Sequence, residues 1–175
     1  MVPDCIHVPT LYLLRHGEPA VTGVLLGQSD PPLSEGGRAQ MAAIRLSVEV
    51  VYSSPLRRAL DSARLLEVPL IVLPELAEIG LGEWDGRTWR DIEDSWPELA
   101  KRKAGDWTAV TPPGGEDWKH FTRRIDRALE EIRRGRFPAA VVAHVAVNAW
   151  FAHRISGATP LTFHQQYGQV NEYEL

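Results

Sequence analysis

Short, wholly apolar runs alternate along this chain with segments whose apolar residues recur at helical spacing. Leu11-Tyr12-Leu13-Leu14 meets no charge until Arg15, the pattern of a strand buried on both faces of a parallel sheet. A loop rich in Gly and Pro follows from Gly17 to Leu33. Ser34 then has the chemistry of a helix N-cap, with Glu35 in the first turn, and predicts a helix to about Ser47. Val48 to Tyr52 reads as a second strand. Ser53 or Ser54 is expected to cap the next helix, with Pro55 in its first turn. Leu70 to Leu73, between Pro69 and Pro74, predicts a third strand at a sheet edge, where a missing N–H does no harm.

From Glu75 to Gly115 the regular pattern lapses. Trp84, Trp89, Trp96 and Trp107 lie there among Gly, Pro and charged residues, which predicts loops and short helices. From Asp117 to Arg134, Trp118, Phe121, Ile125, Ala128, Leu129 and Ile132 define one apolar face of a helix. Ala139 to Ala143 is a second clean apolar strand ending at His144. A helix from about Val145 to Ile155 and a weak strand near Val170 to Leu175 complete the chain. Strands alternating with helices predict a three-layer α/β fold with a mostly parallel central sheet.

At 175 residues, a single domain over 1–175 is expected, with the Trp-rich stretch at about 75–115 as a lid or specificity segment. The formal net charge is −4 with no long basic block, which argues against a nucleic-acid partner. Positive charge that binds an anion must therefore be gathered locally from separate segments. The single cysteine, Cys5, offers neither an internal disulfide nor a Cys-based metal site, and no metal or other cofactor is expected. No stretch has the length and apolarity of a membrane span, and the N-terminal apolar run stops at Arg15. Cytoplasmic residence without membrane association is the resulting expectation.

The chemistry concentrates where the two cleanest strands end. One delivers Arg15-His16-Gly17-Glu18 and the other His144. In open α/β sheets, ligands sit outside the carboxyl ends of strands where the strand order reverses. Two histidines brought there by adjacent strands can face one another across a ligand, and a neighbouring arginine suits a phosphoryl group.

Leu13-Leu14-Arg15-His16-Gly17-Glu18 and the run from Asp30-Pro31-Pro32-Leu33-Ser34-Glu35-Gly36 to Gln40 resemble the histidine phosphatase superfamily in its phosphoglycerate-mutase-like branch. Val51-Tyr52-Ser53-Ser54-Pro55-Leu56-Arg57-Arg58-Ala59, the run from Leu76 to Gly86, and Pro113-Gly114-Gly115-Glu116 are similar to further signatures of that family, in the same order. The resemblance implies a phosphoglycerate-mutase-like fold and a phosphatase that hydrolyses a small phosphorylated metabolite without a metal. It implies His16 as the nucleophile, transiently phosphorylated. Arg15, Arg58 and His144 would hold the phosphoryl oxygens, and Glu78 would protonate the leaving oxygen. Gly17, Gln28 and Val145 join the expected phosphate- or substrate-binding set.

Alternatives stay open at this level. Glu83 and Asp85 lie close enough to Glu78 to be the acid instead, and Arg57 and Arg64 share a helix with Arg58. Glu18 can equally bind backbone groups of its turn, while Trp84 and Trp118 suit either a pocket wall or the core. His7, His120, His153 and His164 match no motif and are expected at the surface or in packing. The family usually has Gly after the second histidine, where this chain has Val145, whose side chain must then turn from the ligand. The loop Pro19-Ala20-Val21-Thr22-Gly23 lacks the polar residues many relatives carry. The compact chain resembles the small alpha-ribazole phosphatase group more than the mutases with longer insertions. A mutase that returns the phosphoryl to substrate, or a non-catalytic phosphate-binding regulator, remains the alternative. The edge strand at Leu70 to Leu73 could pair with a second copy as a homodimer.

Overall fold

The computed structural model describes residues 8–175; Cys5 and His7 lie outside the described residues. Five strands form one sheet: β1 (Thr10–Arg15), β2 (Val50–Ser53), β3 (Leu70–Val72), β4 (Ala139–Ala143) and β5 (Val170–Glu174), in the order β3-β2-β4-β1-β5. β1, β2, β3 and β4 run parallel, and β5 closes the far edge antiparallel to β1. Side chains alternate across the pleat into two apolar clusters. Leu11, Leu13, Val50, Tyr52, Ala139 and Val141 face one layer, while Leu14, Val51, Ala140 and Val142 face the other. That period-two division produces a sheet buried on both faces, as the apolar runs predict.

The second cluster is covered by α1 (Glu35–Ala43) and α2 (Arg57–Arg64) through Met41, Ala59 and Ala63. Ser34 caps α1 as expected, accepting from the Gly37 amide at 2.9 Å. The helix ends at Ala43 rather than near Ser47, because Ile44, Leu46 and Val48 reach the core from an extended chain. Arg45 donates to the carbonyl of Ala42 and so satisfies the frayed end. Neither Ser53 nor Ser54 caps α2, which starts at Arg57 without a cap from its own segment. The carboxylate of Asp30 accepts from the amides of Arg57 and Arg58 instead. A tertiary cap of this kind leaves no local sequence signature.

The first cluster is covered by α5 (Trp118–Arg133), capped by Asp117, and by α6 (Val145–Ser156). The 75–115 stretch contains two short 3-10 turns, α3 (Trp89–Ser95) and α4 (Pro97–Gly105). It packs Trp84, Ile92 and Ala100 into the same cluster. β3 lies at a sheet edge with Ile71 and Val72 exposed. Among the described residues no helix is long and apolar enough to cross a membrane.

Candidate active site

β1 and β4 are adjacent, with Arg15 in register with Ala143. The next residue of each strand, His16 and His144, therefore leaves the sheet beside the other. Their rings meet edge to face with centroids 5.1 Å apart, and both are buried. At the turn out of β1, Gly17 lies against α1 so closely that a Cβ would sit 2.6 Å from the Gly37 carbonyl oxygen. Glycine is required there for packing. The Gly17 amide donates to the Ser62 hydroxyl at 3.0 Å, so this N–H is already engaged.

The hydrogen bonds set the state of each imidazole. His16 Nδ1 lies 2.8 Å from the carbonyl of Gly17, which can only accept. Nδ1 therefore carries the proton and Nε2 keeps a lone pair. Arg58 Nε donates to that Nε2 at 3.3 Å. Burial pushes the His16 pKa down to about 3, and the nearby Arg58 and Arg15 charges act in the same direction. His144 is likewise held well below its ordinary value, by burial first and then by the charges of its neighbours. Its Nε2 pairs with the Ser54 hydroxyl at 2.8 Å, whereas its buried Nδ1 has no partner among the described residues.

Two guanidinium groups bracket His16. Arg58 is 1% exposed, and donates to the carbonyls of Ser29 at 2.8 Å and Gly27 at 2.9 Å. An ion pair with Asp30 at 3.3 Å adds to this hold. Arg57 and Arg64, on the same helix, point outward to Asp61, each with a side chain 62% exposed. The buried position among the three belongs to Arg58. Arg15 stacks over the Tyr167 ring at 3.9 Å and donates to the Gln165 carbonyl at 2.8 Å, while its buried Nε has no partner among the described residues.

Glu78 lies on the wall of the same cavity. Burial raises its pKa; the Ile79 amide and the charges of Arg58, Arg124 and Arg15 oppose that only in part. Its backbone is held from behind. Arg124, on α5, donates to the carbonyls of Glu75, Ala77 at 2.6 Å and Glu78 at 3.0 Å. Arg124 is itself paired with Glu116 at 2.7 Å. The Pro113-Gly114-Gly115-Glu116 run thus reaches the site through this bracket. Asp85 accepts from the amides of Gly27, Gln28 and Ser29, and fastens the loop that binds Arg58. Glu83 is exposed, whereas Glu78 lines the cavity.

The cavity holds about 460 Å³ and is bordered by Arg15, His16, Arg58, Glu78 and Val145. His144 stands against His16 but is not among the lining residues, nor are Gly17 and Gln28. The Gln28 amide instead donates to the Glu78 carbonyl at 2.8 Å. Val145 opens α6, whose N-terminus has no side-chain cap and offers free N–H groups and the positive end of the helix dipole. Glu18 accepts from the Ser34 hydroxyl and braces the α1 cap. Trp84 is fully buried in the core, and Trp118 packs between Phe121 and Trp107. His120 pairs with Asp117 at the surface, whereas His164 proves to be a cavity-lining residue.

Several contributors escape a sequence reading. Ser54, Ser62, Asp30, Arg124 and Tyr167 act through partners at least 27 residues away or through ring stacking. Gln165 donates to the Leu13 carbonyl and accepts from Asn148, pinning the loop that carries Tyr167. Only the solitary aromatic-Gly pair Tyr167-Gly168 hints at a turn there.

The chain is similar in sequence and in fold to known proteins. An adenosylcobalamin/alpha-ribazole phosphatase of Salmonella typhimurium is 34% identical over 133 residues, covering 70% of this chain and 66% of that protein. The alpha-ribazole phosphatase structure from Shigella flexneri superposes with a TM-score of 0.81 at 28% identity, covering 93% of this chain and 89% of that one. A phosphoglycerate mutase structure from Thermus thermophilus gives 0.75 at 31% identity, covering 93% and 91%. The chain spans 41% of the length of the mycobacterial relatives that it matches. The histidine phosphatase superfamily (branch 1) pattern matches residues 11–175, and the chain belongs to that family.

Proposed function

We propose that this protein hydrolyses a small-molecule phosphate monoester through a phosphohistidine on His16, without a metal. The observation that carries the reading is the state of His16: a proton fixed on Nδ1, a lone pair on Nε2, and guanidinium and imidazole donors around it. The Nε2 lone pair attacks phosphorus while the bond from phosphorus to the ester oxygen breaks. Glu78, whose pKa burial raises, gives its proton to that oxygen. Arg15 and Arg58 neutralise the equatorial oxygens; with the Ser54 hydroxyl donating to His144 Nε2, the Nδ1–H of His144 supplies a further donor. The Glu78 carboxylate then takes a proton from water, whose oxygen attacks phosphorus as the P–N bond breaks. Phosphate leaves and both groups return to their starting states.

Gly17 acts in this reading by holding the turn and Gln28 by steadying the Glu78 backbone, while Val145 borders the substrate with its amide. The test is turnover of p-nitrophenyl phosphate in the presence of a chelator. Wild-type protein is expected to turn it over and His16→Ala to lose at least about 10³-fold while staying folded. Equal activity of the two proteins would remove His16 from the chemistry.

A further inference from the structure

Away from the phosphoryl donors, the cavity wall is apolar and aromatic: Leu25, Leu26, Ile79, Trp89, Trp107 and Phe163. Trp107 is held edge to face against Trp118 at 4.8 Å, so its ring is a fixed surface. A small hydrophilic alcohol would leave this wall facing water and gain nothing from it. One further cation enters the wall, Lys103 of α4. Its Nζ donates to the Val110 carbonyl at 2.8 Å; an ammonium has three N–H groups, so two remain for a ligand.

We infer that the leaving alcohol is bulky and ring-bearing, that its apolar body lies against Trp107 and the leucines, and that it carries a carboxylate or carbonyl received by Lys103. The inference rests on the phosphatase reading and names the substrate class of that site. Burial also pushes the Lys103 pKa down to about 8. A partly desolvated ammonium of this kind gains more from an anionic acceptor than a fully hydrated one does.

Three esters with matched primary alcohols separate pocket recognition from leaving-group acidity: ethyl phosphate, 2-(1-naphthyl)ethyl phosphate, and the latter with a ring carboxylate. The expected kcat/KM rises at least about tenfold from the first to the second, and about tenfold again with the carboxylate. Trp107→Ala should shrink the first ratio and Lys103→Met the second. Lys103→Met, on a largely exposed helix, keeps the test decisive if the tryptophan variant does not fold. Equal kcat/KM for all three esters would overturn the inference and leave the phosphatase reading standing. Absence of turnover on every ester, with no phosphohistidine, would overturn the phosphatase reading. Calorimetry with the corresponding non-hydrolysable phosphonates then still decides the pocket: the same order of affinity supports the inference and equal affinities refute it.

Discussion

His16 and His144 show how burial does chemical work at single residues. Each is neutral when folded and takes a proton when unfolded below an ordinary value of 6.5. Stability is therefore lost as pH falls from 6.5 towards about 3, because the unfolded chain binds more protons across that window. Side-chain nitrogen NMR of the free protein should find both rings neutral near pH 5; titration near 6.5 would contradict the assignment. Glu78 has the opposite sign. Its folded pKa is raised, so any stabilisation it carries is complete below 4.5 and is lost as pH rises through the folded value. Glu78→Gln, which mimics the protonated acid, should raise Tm in mildly alkaline buffer and leave it unchanged below 4.5. The same variant should slow alkyl phosphates far more than p-nitrophenyl phosphate, whose leaving oxygen needs no proton; equal losses would point to another acid. His16 and Arg15 were legible because they follow an unbroken apolar strand. The Ser54 hydroxyl that pairs with His144 was not, since serine before proline reads first as a helix cap.

Individual elements place these groups through contacts made by distant residues. α2 presents Arg58 because Asp30, from the loop after β1, caps its first turn and pairs with the guanidinium. Asp30→Ala should cost about 1–2 kcal/mol of stability, measured by chemical denaturation, and should also weaken inhibition by inorganic phosphate. A stability loss with unchanged phosphate affinity would show that α2 holds Arg58 by itself. The segment from Glu75 to Glu78 has only a short 3-10 turn of its own and is held from behind by Arg124 and Glu116. Arg124→Met should lower kcat more for alkyl than for p-nitrophenyl phosphate, the signature of a displaced proton donor. Equal effects on both would assign Arg124 to stability alone. The strands, the amphipathic α5 and the edge position of β3 could be read from apolar periodicity, which reports burial directly. The end of α1 and the cap of α2 could not, because a core accepting Ile44 and a carboxylate from residue 30 act against local preference.

For the molecule as a whole, the sheet order brings β1 and β4 together at the centre, and so sets two histidines from positions 128 residues apart against one another. The order of motifs makes that constellation legible in the sequence. Shape was less so: the Trp-rich stretch divides between core and cavity wall, with Trp84 wholly inside and Trp89 and Trp107 at the cavity. Composition alone does not separate those roles. The open β3 edge, with Ile71 and Val72 exposed, suits pairing with a second copy; light scattering should then give a dimer mass that Ile71→Lys halves. A monomer at all concentrations would exclude that pairing. The proposed reaction turns on the covalent step at His16. Rapid quench of the protein with a phosphorus-labelled ester, followed by peptide mapping, should find an acid-labile, base-stable phosphoryl group on His16 that forms and decays as fast as turnover. Steady turnover with no label on His16 at any time would contradict the account.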